Sequence, residues 1–324
     1  MNNEKHILLK VRDFFAWRIL LNEKMQPGWL YIYRKCSCSY HLFRFLKMCG
    51  FYLFNGQSGI VDWDARQFFF KNQDRVHEVA SWFFDEESKN TYLQSVIHRQ
   101  TSNPSDLPGY DENGYFRHSF FTYGNNEVLI DCGAYTGDTI QEFLSMNIPY
   151  EKIVAFEPDS KNFGALKSVA KNEGSKIMLI NAGVHNKDSI IYLLGRSVSE
   201  TPKGVTGEDH IEYYNLNLTQ GVSETPKGVT GEVCVQVCSI DTLHLEEKIT
   251  FIKMDIEGAE MKALIGAKET ILRDKPKLAI CLYHSNEDMI AIAEYIHELV
   301  PEYKLYVRRN EIQPFSHVVL FATV

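Results

Sequence analysis

The run Glu127-Val-Leu-Ile-Asp-Cys-Gly-Ala-Tyr-Thr-Gly-Asp-Thr139 carries the fold of this chain. Its apolar core, Val128, Leu129 and Ile130, has the length of a buried strand. Asp131 and Gly133 end that strand before Gly137 opens a helical pattern through Ile140, Phe143 and Leu144. A turn of this kind sets backbone N–H groups and the positive end of a helix dipole beside the carboxyl end of a strand. The missing Cβ atoms let a small polar ligand approach there. The spacing Asp131-x-Gly133-x-x-x-Gly137 departs from the G-x-G-x-x-G pattern that admits a pyrophosphate. It suits a nucleoside ligand without phosphates.

Beyond the turn, strand and helix patterns alternate, the signature of a parallel sheet covered on both faces. Strands are expected at 153–156, 176–180, 190–194, 233–237, 250–254, 278–283, 303–307 and 317–322, with helices at 160–172, 259–273 and 288–299. Only a short turn with Asn310 and Pro314 separates the last two strands, which predicts an antiparallel hairpin at the end of the sheet. Upstream, spaced apolar positions predict helices over 4–24, 40–53, 74–84 and 86–99, with a breaker-rich joint at 55–59. The expected organisation is therefore α/β: a helical extension over 1–110 and a mostly parallel sheet domain over 111–324. The aromatics Tyr115, Phe116, Phe120 and Phe121 precede the glycine turn, where they either pack extension against core or line the turn's pocket.

With 324 residues, 44% hydrophobic and 13% aromatic, the chain can bury a sizeable core. A net charge of −8 disfavours a general nucleic-acid binder, which needs surplus Lys and Arg. Residues 1–50 hold nine Lys and Arg against three Asp and Glu, which leaves −14 on the remainder; the plainest use of that basic end is pairing with the acidic body. The start lacks an apolar signal region, and the most apolar early stretch, 41–54, is interrupted by Arg44 and Lys47, so neither export nor a membrane span is indicated. Seven cysteines without an export signal suggest reduced thiols and a cytoplasmic location. Cys36, Cys38, His41 and Cys49 match no common zinc spacing and the three cysteines are read as ordinary buried ones, so no metal site is expected.

Three further positions carry chemistry. Glu157, in Val-Ala-Phe-Glu-Pro-Asp, is an acid at the end of the next strand, where a carboxylate can accept hydrogen bonds from both ribose hydroxyls. Asp159 or Ser160 is the better helix cap there. Asn181, Ala182 and Gly183 follow the third strand, where an adenine would lie, although a plain turn fits those residues equally. The run Phe251-Ile-Lys-Met-Asp-Ile-Glu-Gly-Ala-Glu260 puts Lys253 inside a central strand, and a charge there needs a partner. Alternation brings Lys253, Asp255 and Glu257 to one side, as an internal ion pair or as a site. The strand at 278–283 leads to His284, whose unperturbed pKa of ~6.5 suits proton removal near neutrality.

Taken together, 129–138, 156–159, 251–266 and 275–284 resemble the FkbM-like family of S-adenosylmethionine-dependent O-methyltransferases, within the seven-stranded Rossmann-like methyltransferase class. The resemblance spans about residues 84–324, and Lys-x-Asp-x-Glu-Gly-x-Glu is its most specific motif. It implies S-adenosyl-L-methionine as cofactor. Asp131, Gly133 and Gly137 would hold its methionine part, with Tyr135, Asp138 and Thr139 of the same turn. Glu157, beside Pro158, would hold the ribose, and Asp255, Glu257 and Gly258 the transfer side. The implied acceptor is a hydroxyl of a small molecule, a sugar or secondary metabolite, with His284 as the base and Asp255 its rival. Two alternatives stand beside this reading: a nicotinamide-dependent oxidoreductase, disfavoured by the missing third glycine, and a non-catalytic nucleoside-binding module on the same fold. One departure is a segment at 198–208 repeated identically at 222–232, which makes 196–232 an exposed insertion without assigned chemistry.

Overall fold

The computed structural model describes residues 63–101, 106–171, 173–194, 211–214, 232–310 and 317–324. The helices expected over 4–24 and 40–53, the cysteines before residue 50 and almost all of the repeated segment lie outside the described residues. Two compact units are present: one includes the described residues of 63–72 and Gln94–Leu107, the other Gln73–Leu93 with Pro108–Val324. In chain order the helices are α1 (Trp63–Lys71), α2 (Gln73–Trp82) and α3 (Glu86–Thr101), followed by β1 (Glu127–Cys132), α4 (Asp138–Ser145), β2 (Tyr150–Phe156), α5 (Ser160–Ala170) and β3 (Ile177–Ile180). Next come the strands β4 (Gly183–Val184), β5 (Ser189–Leu194), β6 (Ile211–Tyr214), β7 (Glu232–Cys238) and β8 (Phe251–Met254). The chain closes with α6 (Glu260–Ile265), α7 (Lys268–Asp274), β9 (Lys277–Cys281), α8 (Asp288–Leu299), β10 (Lys304–Arg309) and β11 (Val318–Thr323).

Seven strands form one sheet in the order β10-β11-β9-β8-β1-β2-β3. β1, β2, β3, β8 and β9 run parallel, and β11 pairs antiparallel with both β10 and β9, so the expected terminal hairpin is there. Every residue of β1 is buried, as a central strand between two helical layers must be. Phe116, Phe121, Phe143, Phe251 and Phe321 interlock over one face with Leu129, Ile140 and Ile153. The aromatic segment before the glycine turn is thus largely core. After β3 the chain crosses from one flank of β1 to the other and enters β8. This is the switch point at which open α/β sheets leave a crevice beyond their strand ends.

The remaining strands make a second, four-stranded sheet in the order β4-β7-β5-β6. β6 falls within the stretch expected to be an exposed insertion and pairs antiparallel with β5. The single helix expected over 259–273 is two helices meeting at Gly266. A Cβ on Gly266 would sit 2.1 Å from the His185 carbonyl oxygen, and the Gly266 carbonyl accepts from the Ser239 hydroxyl at 2.6 Å. Close backbone approach at this joint is what ties the second sheet's turns to the helical layer.

In the unit that carries the sheet, Gln73–Leu93 packs on its β10 edge and on α8. Arg75 forks onto Glu294 and Glu287, Trp82 stacks on His297 at 4.3 Å, and Arg308 of β10, 6% exposed, reaches Asp85 at 2.8 Å and the Ser88 hydroxyl at 2.7 Å. Burial would push the Asp85 carboxyl up, but Arg308 and Ser88 outweigh it and hold the group below its ordinary value of 3.8. The pair therefore contributes fully above that pH and loses its contribution as pH falls through the depressed pKa. Arg308→Met should lower unfolding free energy by ~1–3 kcal/mol at pH 7, with the gap to wild type shrinking below about pH 4. Urea unfolding at the two pH values checks this, and an equal gap at both would remove the charge pair as the cause.

Candidate active site

The site grows out of the tips of β1 and β8. Asp131 and Lys253 are register partners on these adjacent parallel strands, so their side chains leave the sheet on the same face. The Lys253 ammonium lies 3.1 Å from the Asp131 carboxylate, with side-chain exposures of 2% and 0%. It also donates to the Gly133 carbonyl at 2.9 Å and lies over the Tyr115 ring at 5.3 Å. Burial would pull the lysine down, yet Asp131 and Asp255 facing it leave it above the ordinary lysine value. The partner that a lysine in a central strand requires is therefore Asp131 across the sheet, with Asp255 as the second charge.

Beyond this pair the two turns touch. Gly133 has φ +83°, and a Cβ there would lie 2.0 Å from the Asp255 carbonyl oxygen, so only glycine lets the β1 turn pass the β8 turn. Gly137, at φ +96°, caps α4, and a Cβ on it would meet the Val169 side chain at 2.9 Å; its smallness serves the packing of α4 on α5.

A cavity of about 770 Å³ opens over these strand ends. Gly133, Tyr135, Asp138 and Thr139 line one part of it, Glu157, Pro158 and Ala182 another, and Asp255 and Glu257 a third. Asp131, Gly137, Asn181 and His284 are not among its lining residues. Asp131 is sealed behind by Lys253, while the Asn181 amide donates to the Glu157 carbonyl at 2.7 Å and so fixes the turn after β2. His284 stands behind Asp255, its side chain 10% exposed, with Nδ1 2.9 Å from Glu260 and Nε2 3.6 Å from Asp255. The second sheet supplies Val235 and Val237 to the wall, and Tyr115 and Lys262 also line it. Lys262 and the second-sheet residues carried no sequence signal. Tyr115 was readable only as one of two uses for an aromatic run.

Glu157 accepts the Tyr135 backbone N–H on Oε2 at 2.9 Å and the Asp159 N–H on Oε1 at 2.8 Å. The Asn162 side chain is a third hydrogen-bond partner of this carboxylate. Burial pushes the carboxyl above its ordinary value despite these donors. Asp255 accepts the Tyr283 hydroxyl on Oδ1 at 2.7 Å and the Tyr115 hydroxyl on Oδ2 at 3.1 Å. Burial raises the Asp255 carboxyl, but Lys253, the Tyr283 hydroxyl and His284 outweigh it and hold the group below its ordinary value. The imidazole of His284 is pulled down by burial and raised further by Glu260, Asp255 and Glu257, with the net shift upward. Asp255 thus gives up its proton more readily than an ordinary aspartate, and His284 holds one more firmly than a free imidazole.

The family model of the methyltransferase FkbM domain matches residues 131–306, from the end of β1 into β10, which takes in most of the residues that line this cavity. The chain belongs to the FkbM methyltransferase family. It is accordingly an S-adenosylmethionine-dependent methyltransferase, and the oxidoreductase reading is set aside. The crystal structure of an FkbM methyltransferase from Methylobacillus flagellatus KT has the same fold, with a TM-score of 0.65 and 21% identity over 90% of this chain and 72% of that one. An rRNA methylase from Streptococcus thermophilus matches with a TM-score of 0.35 and 16% identity over 62% of this chain and 87% of its own. The Aeropyrum pernix fibrillarin with natively bound S-adenosyl-L-methionine gives 0.34 and 11% over 62% and 67%. The last two lie too far from this methyltransferase to extend the reading. Comparison with curated proteins gave no match. No helix among the described residues is long and apolar enough to cross a membrane.

Because Asp131 and Lys253 hold the strand tips of this FkbM-family enzyme, removing one charge strands the other in the core. Lys253→Met should destabilise the fold by ~3–5 kcal/mol, and adding Asp131→Leu should restore most of that loss. Chemical denaturation of the single and double variants measures the cycle; a double variant no more stable than Lys253→Met would mean that the two charges are not a pair.

Proposed function

We propose that this methyltransferase transfers the methyl group of S-adenosylmethionine to a hydroxyl of a small molecule, a sugar or a secondary metabolite. The observation that carries the proposal is a carboxylate, Asp255, fixed by two tyrosine hydroxyls in the wall of a concave cavity at the sheet's switch point.

The residues present fit the cofactor. Glu157 at the cavity wall has acceptor capacity left for the ribose, Ala182 and Gly183 leave room for a flat base, and Gly133, Tyr135, Asp138 and Thr139 frame the methionine end beside the N-terminus of α4. In this reading Asp131 and Gly137 serve the methionine end indirectly, through the shape of the turn, and Asn181 holds the turn bearing Glu157 and Pro158. When bound, S-adenosylmethionine supplies an electrophilic methyl group on a sulfonium that leaves as a neutral thioether.

The chain's own work is positioning and proton removal. Asp255 accepts a hydrogen bond from the acceptor hydroxyl and aims the oxygen, which counts for much in a displacement that demands in-line approach. A free alcohol is barely acidic, but its proton becomes strongly acidic as the new C–O bond forms, so a carboxylate of low basicity can still take it late in the step. We assign Asp255 this role, and His284, behind it, the role of holding that carboxylate. Asp138, Glu142, Glu157, Asp255 and Glu257 around the cavity, on a chain of net charge −8, make a poor bed for a polyphosphate acceptor, which supports a small molecule over a nucleic acid.

Two substitutions separate cofactor binding from chemistry. Glu157→Ala should weaken S-adenosylmethionine binding by ~1–3 kcal/mol in calorimetry, because ribose hydroxyls lose a partner in a closed pocket. Asp255→Asn should keep that affinity within a few-fold and lower turnover by about 10²–10⁴-fold with hydroxyl acceptors. Equal turnover in Asp255→Asn would take the carboxylate out of the reaction, and unchanged binding in Glu157→Ala would put the ribose elsewhere.

A further inference from the structure

We propose that Asp255, Glu260 and His284 form a site for one divalent metal ion at the inner edge of the cavity. One donor atom from each of the three lies within 4.8 Å of the others. Glu260 is wholly buried. Its Oε1 accepts the Ile256 backbone N–H at 2.8 Å, and its Oε2 has no hydrogen-bond partner. The His284 Nδ1 lies 2.9 Å from Glu260 Oε1 and Nε2 3.6 Å from Asp255 Oδ1, yet neither ring nitrogen makes a hydrogen bond. Nitrogen and oxygen that close without a directed N–H are arranged as two ligands of one ion are: donors ~2.1 Å from a metal and at right angles to each other stand about 3 Å apart.

The charge around the imidazole points the same way. Asp288, 8% exposed, has an oxygen without a hydrogen-bond partner and acts electrostatically on Glu260 and His284, and Glu257 reaches within 3.7 Å of Nε2 from the solvent side. Lys253, the cation that also faces Asp255, is paired with Asp131. Burying Glu260 and Asp288 beside one ring, with Asp255 half-buried next to them, is costly unless a cation joins them. Asp255 and Glu257 line the cavity, so an ion has a way in and a coordination position turned toward the acceptor. One imidazole nitrogen with carboxylate oxygens favours ions of the manganese-to-zinc series over calcium, which takes oxygen alone. The site stands on its own geometry; only the ion's use, polarising the acceptor hydroxyl, rests on the proposed O-methylation.

The test uses the full chain, stripped with a chelator and titrated with Mn²⁺ and with Zn²⁺ by calorimetry, with Mn²⁺ paramagnetic resonance as the second readout. One equivalent should bind and raise the melting temperature of the wild type. Glu260→Gln, whose amide oxygen can still accept from Ile256, should weaken binding by at least ~100-fold while circular dichroism and S-adenosylmethionine affinity stay as in wild type. Should Glu260→Gln not fold, His284→Gln replaces it with the same expected loss. The proposal is overturned if the stripped wild type binds neither ion, in which case a proton on His284 is the compensating cation, or if the variants bind as tightly as wild type. Stripped protein that binds metal but not S-adenosylmethionine would sink the methyl-transfer reading and leave the metal site standing.

Discussion

The arrangement of this enzyme depends on a lysine that the sheet places where lysines are seldom tolerated. Lys253 is buried in the middle of a parallel sheet, and Asp131, its register partner on the next strand, offsets the cost. Because the partners sit at the carboxyl tips of β1 and β8, on either side of the switch point, the ion pair fixes where the two following turns begin. The lysine then donates to the carbonyl of Gly133, so one ammonium group holds a strand on one side and a turn on the other. Gly133 and Asp255 come into backbone contact as a result, and the cavity opens immediately above them.

From that fixed point the motif between 253 and 260 distributes its charges by geometry. Alternation along β8 would put Lys253, Asp255 and Glu257 on one side, but Glu257 and Gly258 adopt positive φ, of 57° and 96°, and the chain turns away from the strand direction. Asp255 remains at the cavity wall between two tyrosine hydroxyls. Glu257 swings into solvent with its side chain 93% exposed. Glu260 folds back under the turn to hold the Ile256 N–H. Three acids five residues apart therefore occupy three dielectric environments, and environment, not residue type, separates their chemistry.

Much of this was legible in one dimension. The strand-turn-helix at 127–139, the alternation after it and the terminal hairpin follow from apolar run length and glycine placement, which are local properties. What was not legible depended on contacts between distant segments. The sequence shows that Lys253 needs a partner but not that it is Asp131, since that requires the register of β1 against β8. The break at Gly266 arises from the carbonyl of His185, a residue 81 positions away, and so looks like an uninterrupted helix when read alone. α1 was missed because the three consecutive phenylalanines in Trp63–Lys71 lack a 3.6-residue spacing. Asp131 and Asn181 lie in the expected turns but are not among the residues that line the cavity; they bond to Lys253 and to the Glu157 carbonyl instead.

His284 shows how that last distinction bears on mechanism. Its place at the end of β9 suggests a base, because an imidazole is the side chain best matched to neutral pH. A base must reach its proton, and the structure interposes Asp255 between the imidazole and the cavity. The ring also lies among carboxylates that strengthen its hold on a proton. Lys253 on one flank, the Tyr283 hydroxyl and the imidazole behind it lower the Asp255 carboxyl where burial would raise it. The acid that faces the cavity is thereby favoured in its acceptor form, at the expense of basicity. That trade suits the proposed O-methylation, in which the departing proton becomes acidic only as the oxygen acquires its methyl group.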